Sequence, residues 1–128
     1  MKYAYPALLI PEEGLYNVVF PDLPDCYTCG DDAADAAFMA SDALSGYLAH
    51  CEARGEKPKA PSEPEKTVVP AGALLTMVVA DTEAYRRKVN NRAVRKTLTI
   101  PAWMNEEAQA RHLNFSKVLQ DALAAILE

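Results

Sequence analysis

Val94-Arg95-Lys96-Thr97-Leu98-Thr99-Ile100-Pro101 alternates in character: Val94, Leu98 and Ile100 fall on one side of an extended chain, Arg95, Thr97 and Thr99 on the other. A period of two marks a strand with one face turned to a core. Pro101 fixes φ and suits the first position of a helix. Residues 101–112 fit that helix, with Trp103, Met104 and Ala108 apolar and Glu106 and Glu107 in its N-terminal part, where the dipole favours acids. Leu113-Asn114 interrupts the pattern. Asn114 is a good N-cap for a second helix. Its apolar set, Phe115, Val118, Leu119, Ala122, Leu123, Ile126 and Leu127, keeps a three–four spacing throughout.

A strand and two helices of this size cannot bury enough apolar surface alone. A lone strand also leaves its hydrogen-bonding edges unpaired. Both deficits vanish if two copies pair their strands antiparallel and interlock their helices around Leu98, Ile100, Trp103, Val118, Leu119 and Leu123. The outer face of the resulting ribbon shows Arg95, Thr97 and Thr99 twice over. Such a ribbon fits the DNA major groove, where Arg and Thr read base edges. Lys96, on the apolar side in this register, is placed to reach a backbone phosphate instead. Lys117 falls in the first turn of the second helix, where a cation opposes the dipole unless an anion is bound there; a phosphate is the natural one.

The chain of 128 residues is 50% hydrophobic and 24% charged, which excludes wholesale disorder and allows one domain, or a small domain plus a smaller module. No apolar run approaches the roughly 18 residues of a membrane helix; the longest, Ala73 to Ala80, is strand-sized. The opening residues do not read as a secretory signal, and three cysteines without a disulfide pattern read as reduced thiols. The expectation is a soluble, cytoplasmic protein. The net charge of −5 hides an asymmetry: residues 1–66 carry five Lys/Arg against twelve Asp/Glu, residues 67–128 eight against six. Arg86, Arg87, Lys88, Arg92, Arg95 and Lys96 fall within eleven residues holding no acid, the electrostatic footprint that a phosphate backbone rewards.

In the acidic half, residues 2–10 and 15–20 read as strands joined by the turn Pro11-Glu12-Glu13-Gly14, and Cys26 to Cys29 as a short third strand. Asp31 and Asp32 cap a helix running to about Ala53, with Ala34, Ala37, Phe38, Leu44, Tyr47, Leu48 and Cys51 on its apolar face and Ser41 filling a gap. Arg54-Gly55 stops it. Residues 56–66 form an extended loop, residues 67–70 and 73–80 read as strands, and Thr82 to Arg87 as a short helical turn. The first domain is therefore β-β-β-α-β, the class α+β, with domains at 1–88 and 89–128 and the boundary near Asn90-Asn91.

Other constellations carry less. Cys26-x-x-Cys29 suggests a metal, but its only second ligand pair is His50-Cys51, and adjacent helical residues diverge by about 100°. These cysteines read as buried small apolar side chains, and no metal or cofactor is expected. Asp22, Asp25, Asp31, Asp32 and Asp35 invite a two-metal nuclease site. The first two are better explained as turn formers and Asp31 and Asp32 as a cap, and residues 2–10 and 15–20 contain no acid. No catalytic residue is expected. His50 and His112 lack partners at suggestive spacing and read as surface or helix-end residues. Trp103 and Phe115 read as core of the paired helices.

These residues carry a resemblance. Arg95-Lys96-Thr97-Leu98-Thr99-Ile100-Pro101, followed by Asn114-Phe115-Ser116 opening a helix, resembles a ribbon-helix-helix DNA-binding domain. Upstream, Tyr5-Pro6-Ala7, the run Phe20-Pro21-Asp22-Leu23-Pro24-Asp25-Cys26 and the helix start at Gly30-Asp31-Asp32 are similar to HicB-type antitoxins of bacterial toxin–antitoxin pairs. The resemblance covers nearly the whole chain. It implies a degraded ribonuclease-H-like domain that masks a small basic, mRNA-cleaving HicA-type toxin, with no catalysis of its own. It also implies a C-terminal dimer that binds operator DNA and represses its own operon. Arg95, Thr97 and Thr99 would read bases, and the backbone around Asn114, Phe115 and Ser116 would hold a phosphate. The toxin-contacting residues stay unassigned, as does whether dimers pair further into tetramers. The other reading is an orphan regulator with an N-terminal sensor or oligomerisation domain and no toxin.

Overall fold

The computed structural model describes residues 1–128, which form two compact units, Met1–Arg92 and Ala93–Glu128. The first holds β1 (Lys2–Glu12), β2 (Leu15–Phe20), β3 (Leu23–Gly30), α1 (Ala33–Ala53), β4 (Leu74–Asp81) and α2 (Thr82–Val89). The sheet order is β3-β2-β1-β4, with every pair antiparallel. The β-β-β-α-β succession is therefore present, with different bounds. The first hairpin turns on Glu13 (φ 50) and Gly14 (φ 82) alone, so Pro11 and Glu12 belong to β1. Two consecutive left-handed residues match the twist of the flanking strands. β3 starts at Leu23 because it is an edge strand, where Pro24 interrupts no ladder. Residues 67–70 form no strand: the turn from Pro70 to Ala73 (N–H to carbonyl, 3.0 Å) separates them from β4, and no strand pairs with them.

Pairing of Leu9 with Val18 and of Tyr5 with Val78 gathers Tyr5, Ala7, Leu9, Val18, Phe20, Cys26, Val78 and Ala80 on one sheet face. α1 lays Ala36, Ala40, Leu44 and Leu48 upon it, all fully buried. That face differs from the expected one: Ala34 and Ala37 are exposed, and Phe38 is 77% exposed. The reason is close approach. A Cβ on Gly30 would lie 2.3 Å from the Ala36 nitrogen, so the strand end and the first turn of α1 are in contact. Only small side chains fit where the backbones meet. Ser41 does not fill the core either; its Oγ donates to the Val79 carbonyl at 2.9 Å.

Both ends of α1 follow their local signals. The Asp32 carboxylate accepts from Asp35 N–H at 2.7 Å, and the Asp35 carboxylate accepts from Asp31 N–H at 2.9 Å. At the other end Gly55 (φ 70) closes a Schellman turn, with Gly55 N–H to Glu52 C=O at 3.2 Å and Glu56 N–H to Cys51 C=O at 2.9 Å. The loop that follows is tied to the sheet. Buried Asp22 accepts from Ser62 N–H at 2.9 Å and from its hydroxyl at 3.0 Å, and Tyr5 OH donates to the Lys59 carbonyl at 2.6 Å.

In the second unit, α3 (Ala102–Ala110) and α4 (Phe115–Leu127) are the only regular elements. Pro101, with ψ 144, caps α3 rather than opening it, and Glu106 and Glu107 lie beyond its first turn, so the expected dipole contribution is lost. α3 ends in a second Schellman turn, His112 N–H to Gln109 C=O and Leu113 N–H to Ala108 C=O, both at 3.0 Å. Here a histidine (φ 55) holds the left-handed position that glycine holds in α1. Val94 to Ile100 forms no strand within one chain, because no other segment supplies a ladder.

Candidate functional site

The uninterrupted basic run of the sequence is divided by the fold. Arg86 meets Glu52 of α1 at 2.6 Å and Lys88 meets Asp42 of α1 at 3.5 Å. The Glu52 carboxylate also accepts from Tyr3 OH and Thr82 Oγ1, each at 3.0 Å. Burial alone would raise its pKa; the Thr82 and Tyr3 hydrogen bonds and the Arg86 guanidinium outweigh that and hold it below the usual carboxylate range. Arg86 is thus a structural residue. Arg87, Arg92, Arg95 and Lys96 make no ion pair. Nothing local announces this division, because both acids lie more than thirty residues away in sequence.

Arg95 and Lys96 line an open cleft of the second unit with Ala93, Val94, Ser116, Leu119, Gln120 and Leu123. The fold therefore brings Arg95 and Lys96 beside Ser116 of α4. Thr97 and Thr99 are exposed and lie outside that cleft. At the start of α4, the Asn114 side chain accepts from Lys117 N–H at 3.1 Å, which leaves the Phe115 and Ser116 amides without an intrahelical partner. The Lys117 ammonium pairs with Asp121 at 3.4 Å. That exposed pair is weak, and its i,i+4 spacing is legible in sequence. It relieves part of the unfavourable charge at the helix start.

The apolar set of the second unit is left in water. Leu98, Ile100, Trp103, Val118, Leu119 and Leu123 are between 36% and 63% exposed, and no residue of α3 or α4 is buried. Apolar side chains left exposed in such number mark a candidate interaction surface.

The remaining candidates disperse. No three His, Cys, Asp or Glu side chains gather to hold a metal ion. Cys26 and Cys51 are buried but Cys29 is exposed, contrary to the expectation for the pair. Burial, with Cys51 nearby, pushes the Cys26 thiol up to about 11, and burial raises Cys51 as well. The Asp32 and Asp35 carboxylates are engaged at the start of α1; Asp31, expected to share the cap, contributes only its N–H, and Asp25 is exposed. Asp22 is more than a turn former, since it anchors the loop through Ser62.

The chain thus joins a sheet-and-helix unit with a closed core to a helical unit whose apolar residues face solvent. The chain belongs to the HicB-like antitoxin family of bacterial toxin–antitoxin systems, whose family model matches residues 5–123. It is 29% identical over 124 residues to antitoxin HicB 2 of Photorhabdus laumondii, covering 95% of this chain and 89% of that protein. Among solved structures it is similar to a chain of a toxin–antitoxin complex from Streptococcus pneumoniae, at 26% identity and a TM-score of 0.63, over 98% of this chain and 99% of that one. The Burkholderia pseudomallei antitoxin HicB shares the fold, with a TM-score of 0.52 at 23% identity over 100% of this chain and 99% of that one.

Proposed function

We propose that the protein is a cytoplasmic antitoxin that binds and masks a small basic HicA-type toxin through its first domain, residues 1–88. Residues 89–128 pair two copies and bind operator DNA, repressing the operon that encodes both proteins. The observation that carries the second half is the exposed apolar set of the second unit, together with a strand-patterned segment that finds no ladder in one chain. Pairing two copies as a ribbon-helix-helix satisfies both needs. Arg95, Thr97 and Thr99 then read bases in the major groove. Lys96 and the free amides of Phe115 and Ser116 contact phosphate, with Asn114 holding the helix start and Lys117 close by. The first half rests on family membership and on the acidic balance of residues 1–66, which steers a basic partner. The first domain is read as a ribonuclease-H-like scaffold without its catalytic carboxylates.

Two measurements test this. Full-length tagged protein expressed in its native host is captured and read by mass spectrometry; recovery of one small basic protein supports the toxin half, and recovery of the antitoxin alone refutes it. Arg95→Ala is expected to weaken operator binding by about 1–3 kcal/mol and to relax sequence preference in a gel-shift series. Unchanged affinity and specificity remove Arg95 from the reading face.

A further inference from the structure

α1 carries a second small-to-apolar stripe besides the one it buries on the sheet. Ala34, Phe38, Ser41, Ser45 and Ala49 keep three–four spacing along another of its sides. α2 runs back along that side. Arg86 sits on Glu52, Lys88 on Asp42, and the Tyr85 ring lies so near Gly46 that a Cβ there would be 2.9 Å from its hydroxyl. Its eight residues span about 12 Å, against about 31 Å for the 21 residues of α1. Within its reach Ser45 and Ala49 are buried. Beyond it, nearer the start of α1, Ala34 and Ala37 are exposed and Phe38 is 77% exposed. At that step Phe38, Ser41, Asp42, Tyr85 and Lys88 line an open cleft of about 400 Å³. A helix apolar on two sides is normally covered on both, and here the cover stops halfway.

Charge selects the occupant. Between Lys2 and Arg54 the chain has nine Asp or Glu residues and no Lys or Arg. Asp35 and Asp42 flank Phe38 three residues before and four after it, the neighbouring positions on a helix surface. Lys88, the one Lys or Arg lining the cleft, is already paired with Asp42 at 3.5 Å. Such a surface repels DNA and a second copy of itself, and attracts a basic protein. We infer that the uncovered half-face of α1, centred on Phe38, is where the small basic partner docks, extending the layer that α2 begins. The inference rests on the toxin reading above and assigns its surface. Phe38 is the central apolar anchor, and Asp35 and Asp42 meet the partner's cations at the rim.

Photo-cross-linking tests it. The tagged full chain is expressed in its native host with p-benzoylphenylalanine in place of Phe38 or, as control, of Tyr27. Tyr27 is 72% exposed on β3 and points to the sheet face opposite α1. Irradiation is expected to join position 38, and not position 27, to the same small basic protein that the wild-type chain captures. A cross-link from 27 and none from 38 overturns the docking face. So does a cross-link from 38 to another copy of this chain or to nucleic acid. In titrations with the captured protein, Phe38→Lys is expected to weaken binding about thirtyfold or more, the size of an interface hot spot, and Tyr27→Lys by less than about twofold. Both side chains are exposed, so both variants are expected to melt as wild type does. Wild-type affinity in Phe38→Lys refutes the surface and leaves the toxin reading standing, whereas a wild-type chain that captures no basic protein refutes both.

Discussion

Replacing Gly30 with alanine isolates the contact that decides how α1 sits on the sheet. Gly30 ends β3 opposite Tyr16, and only two residues separate it from α1. A Cβ there would lie 2.3 Å from the Ala36 nitrogen, 2.5 Å from its Cα and 2.8 Å from the Asp35 carbonyl carbon, against ordinary contact from 3.4 Å. All three are backbone atoms, so no side chain can swing aside, and the first turn of α1 must retreat by about 1 Å. A radial gap of that size forfeits roughly a quarter to a half of each dispersion contact across it. Ala36, wholly buried, stands directly at that contact. Overpacking usually costs about 1–3 kcal/mol, and more when backbone is the obstacle. The expected loss is about 3 kcal/mol, which lowers the midpoint by roughly 12–24 °C for a domain of this size. Gly14→Ala is the control: φ is 82 with nothing within 4 Å, so only the left-handed backbone penalty of about 1 kcal/mol applies. Thermal and urea unfolding followed by circular dichroism compare the two. A Gly30→Ala loss no larger than that of Gly14→Ala refutes the close-approach account.

Glu52 makes stability depend on acid. Its folded pKa is lowered, so its contribution is complete above the unfolded value of about 4.3 and is lost as pH falls through the folded one. Glu52→Gln is expected to cost about 1–3 kcal/mol at pH 7, with the gap to wild type closing below pH 4; a pH-independent gap contradicts the assignment. The two Schellman turns predict opposite signs. His112→Gly relieves a left-handed histidine and raises stability by up to about 1 kcal/mol, whereas Gly55→Ala lowers it by about 1 kcal/mol; equal signs in melting experiments refute this. Iodoacetamide at pH 8 is expected to label Cys29 rapidly and Cys26 and Cys51 only after unfolding. Native labelling of Cys26 at the rate of Cys29 shows that its burial is not maintained.

Much was legible in the sequence because its causes are short-range. The cap at Asp32, the stop at Gly55 and the cap at Asn114 each involve groups within five residues of one another. Amphipathic spacing likewise marked the apolar set of α4, which the folded chain leaves exposed. Tertiary structure decided what depends on distant backbone. It turned Ala36 and Ala40 inward and Phe38 outward, because the end of β3 comes against the helix there. It also gave Arg86 to Glu52 and Lys88 to Asp42, removing two cations from a run that looked continuous. Periodicity says that a helix has an apolar side, but shape complementarity chooses which side. Net charge says that a patch is basic, and only folding shows which of its cations are already paired.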